Sequence, residues 1–248
     1  MRCFLWLILT TLTTAAAIAQ KTKGGTVDNT VTKTTPRIFS LVVGISNYAQ
    51  LPKLDFADRD AKAFRDYLVT VQGVPANRVF CLTNDSATNL NIFDRLYQLS
   101  DSLKAGDQFL FYFSGHGDWE SKISDNSLLL LRNAPMQNYL RYPDQFINSQ
   151  TLNAFLRKLS EQNVTTVLIA DACRSGNLIG GKEGSQTTVL QLKQGFKNSI
   201  RILSCMPDEL SFESAKWGGG RGRSTAASSG QKLEQRPSKP AALPCGHL

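Results

Sequence analysis

Histidine and closely spaced cysteine are scarce in this chain, and that scarcity removes the commonest protein-built metal sites. There are two histidines, His116 and His247, and five cysteines, Cys3, Cys81, Cys173, Cys205 and Cys245, with no C-x-x-C step. A Cys/His metal site lacks its donors, and no close-spaced pattern calls for a disulfide framework. Long apolar runs are lacking as well. The stretch Phe4 to Leu12 is too short to cross a bilayer, and no other segment approaches the length needed.

Basic charge is present but has no breadth. The formal net charge is +8, yet residues 216–248 hold six Lys/Arg against the single acid Glu234. With Arg2 and that tail set aside, the body has 21 basic and 19 acidic residues. A groove lined with Lys and Arg is not built from such a balance, so nucleic acid is not an expected partner.

What is present is an ordinary globular composition, 42% hydrophobic and 19% charged, in 248 residues. That length suits one sizeable domain. Met1-Arg2, the apolar run and the small-x-small step Ala17-Ile18-Ala19 predict a signal peptide over 1–19. Export to a periplasm or the exterior follows. Residues 20–36 are rich in Thr, Lys and Gly and read as a flexible leader. From residue 37 short apolar runs alternate with segments of helical spacing. Strands are expected near 38–44, 78–82, 108–113, 127–131, 165–170 and 200–205, with helices over 55–71, 88–103 and 148–159. Near-continuous apolar strands between helices imply an α/β domain with a mostly parallel central sheet covered on both faces.

Two loops follow buried strands directly. Ser114-Gly115-His116-Gly117 ends one, and Asp171-Ala172-Cys173-Arg174-Ser175-Gly176 ends another. In open α/β sheets the working crevice lies beyond the carboxyl ends of the strands. Parallel strands would bring His116 and Cys173 to one edge, where an imidazole and a thiol make a general base and a nucleophile. The amides of Gly117 and Cys173 are the candidate oxyanion donors. An isolated cysteine is ordinarily a core thiol, and a lone histidine ordinarily structural. The strand-exit setting between two glycines is what favours chemistry here. A phosphatase-type thiolate needs an arginine six residues after the cysteine; that position is Ile179.

Phe111-Tyr112-Phe113-Ser114-Gly115-His116-Gly117 and Asp171-Ala172-Cys173-Arg174-Ser175-Gly176 resemble the two catalytic motifs of the caspase-like cysteine peptidases (peptidase family C14), including metacaspases and their bacterial relatives. Val43 to Tyr48 and Leu54 to Ala61 resemble that family's first strand and first helix. The resemblance spans about residues 38–222. It implies a caspase-like sandwich and a cysteine-type endopeptidase with His116 and Cys173 as its dyad. By the match to metacaspases, Asp60, Ser114 and Asp171 would line an acidic pocket, which implies cleavage after Arg or Lys. The alternative reading is a catalytically silent caspase-like interaction or regulatory module.

Some metacaspases bind calcium through aspartates after the His motif. Asp118, Glu120 and Asp125 occur there without a dense acidic run, so the expectation is no cofactor, with calcium weakly supported. The 174–198 loop carries Arg174, Lys182, Lys193 and Lys197. Self-cleavage is an expectation there, with Gly180-Gly181-Lys182 as the most flexible site. Glu209 to Ser214 and Trp217 to Gly222 resemble the region past the family's last clear strand. From Arg223 the sequence loses periodicity and reads as a disordered basic tail over 223–248, with the family's C-terminal elements missing. That abrupt change has two readings, a frameshifted or truncated reading frame and a natural divergent tail.

Overall fold

The computed structural model describes residues 35–172 and 190–203, together with the backbone of two short strands at 210–213 and 221–224. The expected signal peptide, nearly all of the leader, Cys173, residues 174–189 and the tail beyond 224 lie outside the described residues. Among those described, no helix is long and apolar enough to cross a membrane.

Five strands form one parallel sheet. They are β1 (Ile38–Gly44), β2 (Val79–Thr83), β3 (Gln108–Ser114), β7 (Thr165–Asp171) and β8 (Ser199–Leu203), in the order β2-β1-β3-β7-β8. Parallel neighbours need long crossovers, and the helices supply them: α1 (Ala57–Asp66), α2 (Asn89–Ser102) and α3 (Ser149–Glu161). The expected α/β class with a mostly parallel sheet is what the chain adopts. Residues 67–71, read from sequence as more of the first helix, form a π-helical turn instead.

Side chains alternate across each strand. Leu41, Val43, Phe109, Phe111, Phe113 and Leu168 face the larger core, under α2 and α3. Val42, Leu110, Tyr112 and Val167 face a smaller one, against Ala61 and Phe64 of α1 and Leu68 of the π-helical turn. The central strand β3 has no solvent-facing side, because Phe109, Phe111 and Phe113 are fully buried on one face and Leu110 and Tyr112 are buried on the other. Each such side chain contributes roughly 1.5–3 kcal/mol by burial. Two helices start on side-chain caps: Thr88 Oγ1 accepts from the Asn91 amide and Asn148 Oδ1 from the Gln150 amide.

The expected strand at 127–131 exists, as β5 (Asn126–Leu130), but it does not join the parallel sheet. It pairs antiparallel with β4 (Gly117–Glu120) and with β6 (Phe146–Asn148) in a separate three-stranded sheet. Five residues link β4 to β5, a length that permits a hairpin and forbids a parallel return. A last pair, β9 (Leu210–Glu213) and β10 (Arg221–Ser224), is antiparallel. Arg223 and Ser224 thus lie in a strand where the sequence carries no strand pattern.

Candidate active site

Register fixes what the C-terminal edge of the large sheet offers. Gly44 pairs with Ser114, and Ser114 pairs with Asp171. The ladder continues one residue further, where the Gly115 amide donates to the Asp171 carbonyl at 3.2 Å. His116 is two residues beyond Ser114, and Cys173 is two residues beyond Asp171. Neighbouring strands run about 4.8 Å apart, so the two loops leave the sheet side by side. Cys173 itself lies outside the described residues.

The loops touch. A Cβ added at Gly117 would stand 2.6 Å from the Ala172 carbonyl oxygen. One at Gly115 would stand 2.6 Å from the Tyr48 hydroxyl and 3.0 Å from the Phe113 ring. The glycines flanking His116 are therefore required by close approach of backbone to backbone and of backbone to a buried hydroxyl.

His116 is completely buried. Its Nε2 lies 2.8 Å from the Pro52 carbonyl oxygen. A carbonyl can only accept, so Nε2 carries the hydrogen and the neutral ring's basic nitrogen is Nδ1. The His116 amide donates to the Tyr48 hydroxyl at 2.8 Å, and the Tyr48 ring sits 4.6 Å from the imidazole centroid. Pro52 and Tyr48 both belong to the loop after β1. That loop is tied down by Asn84, whose side-chain oxygen accepts from the Ser46 and Asn47 amides, each at 2.9 Å. Asn84 has φ of 48°, a left-handed conformation that asparagine tolerates better than most residues. Sequence reasoning missed Pro52, Asn84 and the role of Tyr48, since contacts 37 to 68 residues apart leave no local spacing signal.

The three expected pocket residues share one face. Ser114 follows Leu110 and Tyr112 in alternation, and Asp171 follows Val167 and Ile169, so both belong to the α1 side of the sheet. Phe64 of α1 stacks on Tyr112, with centroids 4.7 Å apart and planes 19° apart. Asp60 lies one helical turn before Phe64 and Ser114 two residues after Tyr112, so both extend from that stack toward the same edge. Asp60 and Asp171 are half-buried. Ser114 is fully buried, and its hydroxyl has no hydrogen-bond partner among the described residues.

The acids after the His motif are spoken for separately. Asp118 accepts from the Tyr139 hydroxyl and the Trp119 amide. Glu120 accepts from the Lys122 amide, and Asp125 from the Trp119 indole. Among the described residues, no group of three or more His, Cys, Asp or Glu is placed to hold a metal ion. Cys81, on β2, is partly buried in the smaller core, and burial pushes its thiol above the ordinary value. It has the character of a small hydrophobe, not of a reactive thiolate.

A family model described as caspase domain (Peptidase_C14) matches residues 37–226. Among solved structures, the chain is similar to protein GSU0716 from Geobacter sulfurreducens, with 18% identity and a TM-score of 0.51 over 71% of this chain and 75% of that one. It is also similar to the Drosophila initiator caspase Dronc, with 14% identity and a TM-score of 0.44 over 80% of this chain and 67% of that one. A comparison with curated proteins finds no match.

Proposed function

The chain belongs to the caspase-domain family of cysteine peptidases, and from that premise we propose that it is an endopeptidase cleaving after Arg or Lys, with Cys173 as nucleophile and His116 as general base and acid. The observation that carries this reading is the Ser114–Asp171 register pair. It gives the two loops the same offset from one sheet edge, and it sets a buried hydroxyl, without a partner among the described residues, beside a carboxylate on the α1 side.

In the proposed reaction Nδ1 of His116 takes the Cys173 thiol proton while Pro52 holds the opposite nitrogen as a donor. The thiolate attacks the scissile carbonyl, and the Gly117 and Cys173 amides receive the developing oxyanion. His116 then protonates the leaving amine, so the C–N bond breaks and an acyl-enzyme remains. Water, deprotonated by His116, releases the acid product and restores the thiol. Asp60, Ser114 and Asp171 would receive the basic side chain of the residue before the cut; two carboxylates match a guanidinium or ammonium group in charge and hydrogen bonding. No step calls for a cofactor. Protein or peptide substrates reach the enzyme outside the cytoplasm in this reading, through export directed by residues 1–19.

The test is hydrolysis of short peptides ending in Arg, Lys or Asp by the purified protein beside Cys173→Ala. Cleavage after Arg or Lys that falls at least about 10³-fold in the variant is the expected result. Cleavage after Asp alone would remove the acidic pocket and keep the enzyme. Folded wild-type protein without activity would favour the silent interaction module. On a denaturing gel of the same two samples, fragments cut within 174–198 only in the wild type would establish self-cleavage.

A further inference from the structure

The antiparallel ladder between β4 and β5 is interrupted at its last rung by a side chain. Gly117 pairs with Leu129, so His116 and Leu130 are the next opposed residues. Such a rung is ordinarily closed by two reciprocal N–H···O bonds. Here one of them is made: the Leu130 amide donates to the His116 carbonyl at 2.9 Å. In place of the other stands a hydroxyl. The His116 amide donates to Tyr48 Oη at 2.8 Å, and Tyr48 Oη donates to the Leu130 carbonyl at 3.1 Å. A phenolic oxygen is thus inserted into a backbone hydrogen bond, with its ring 97% buried.

We propose that the Tyr48 hydroxyl is a positioning group for the dyad: by holding the His116 amide away from Leu130, it sets the direction in which the imidazole leaves the backbone. This inference rests on the proposed role of His116. The geometry has three consequences. A direct bond from His116 N to Leu130 O would draw the His116 backbone toward β5 by about the width of one oxygen. Nε2 would then move relative to the Pro52 carbonyl, because Pro52 sits in a loop held through Asn84 and closed by the Leu54 amide on the Ser46 carbonyl. The adjoining Gly117 would move with it, and with that its amide. Gly115 is compatible with this insertion because it has no Cβ to meet the hydroxyl 2.6 Å away. One loop therefore sets the ring from two sides, with Tyr48 on the backbone and Pro52 on Nε2.

The test is Tyr48→Phe, which keeps the buried ring and removes the hydroxyl. Histidine labelled with ¹⁵N gives two imidazoles, His116 and His247, assigned with His116→Ala. In the wild type the His116 signals should be those of the Nε2–H tautomer; in Tyr48→Phe they should shift toward a mixture of tautomers. With peptide substrate, kcat should fall by about 10–100-fold, the range a small misplacement of a reacting group produces, with KM within about twofold. Asn84→Ala, which keeps the hydroxyl but frees the loop, should move both readouts the same way by less, and it serves if Tyr48→Phe does not fold. An unchanged histidine spectrum and kcat in folded Tyr48→Phe would overturn the proposal. So would a fall in melting temperature alone, which would make Tyr48 a packing residue. The two readings fail separately: hydrolysis that survives Cys173→Ala removes the dyad, whereas the histidine spectrum judges Tyr48 whether or not peptides are cut.

Discussion

The two ends of the five-stranded sheet are made by the same strands and solve opposite problems. At the N-terminal ends of β1 and β3, polar groups are paired. Arg37 meets Asp107 through two nitrogens, at 2.9 and 2.5 Å, and the Lys104 amide donates to the same carboxylate at 2.7 Å. The Gln108 amide donates to the Arg37 carbonyl and the Thr165 amide to that of Asp107. At the C-terminal ends, 7 residues along, the chain is crowded and not fully paired. Gly44 has room for no Cβ, since one would lie 2.4 Å from that of Ala61. Gly115 and Gly117 are pressed against Tyr48 and Ala172, and the Ser114 hydroxyl is buried without a partner among the described residues. Satisfied groups stabilise; groups held in place with capacity to spare can act on something else. The crowded end is the one from which the loops after Ser114 and Asp171 leave the sheet.

Substitutions can break this contrast. The largest effect is expected from Gly117→Ala. Its methyl would have to displace the Ala172 carbonyl from 2.6 Å, parting the two loops, and peptide hydrolysis should fall by about 10²-fold; near wild-type kcat/KM would show that the loops tolerate separation. A smaller loss is expected from Asp171→Asn, which keeps shape and removes charge. Cleavage after Arg should drop by about tenfold, roughly 1.4 kcal/mol, with little change in melting temperature; an equal loss on every substrate would mean that Asp171 positions backbone and does not select side chains.

The smallest effect belongs to the other end. Asp107→Asn should leave kcat unchanged and lower the melting temperature by a few degrees, at about 2–4 °C per kcal/mol for a domain of this size. Its pH dependence has a definite sign. Burial alone would raise the Asp107 carboxyl, but the hydrogen bonds from Arg37 and the Lys104 amide outweigh it and hold the carboxyl below the ordinary carboxylate value. A depressed folded value stabilises the protein above the unfolded value of about 3.9, and that stabilisation is lost as pH falls through the folded value. The difference in melting temperature between wild type and variant should be constant near neutrality and close as pH drops below about 4. A gap that widened in acid would refute the assignment.

Much of the candidate site is legible in the sequence. His116 and Cys173 each follow an apolar strand, and parallel strands send their loops to one edge; Asp60, Ser114 and Asp171 came with the family resemblance and share a face. The hairpin strand β4 was not legible, because Gly117-Asp118-Trp119-Glu120 has no apolar alternation. Nor was the separation of β5 from the main sheet, because its five buried residues read the same in either sheet.

The sequence by itself determined the class of fold, the alternation of the central parallel strands with helices, and which two loops carry a thiol and an imidazole, since hydrophobic period and glycine placement are written locally. The tertiary structure alone decided how the imidazole is held. The Pro52 carbonyl that fixes its tautomer and the Tyr48 hydroxyl that takes its amide come from 64 and 68 residues away. A hydrogen bond between groups so distant depends on strand register and loop anchoring, and neither exists until the sheet has formed.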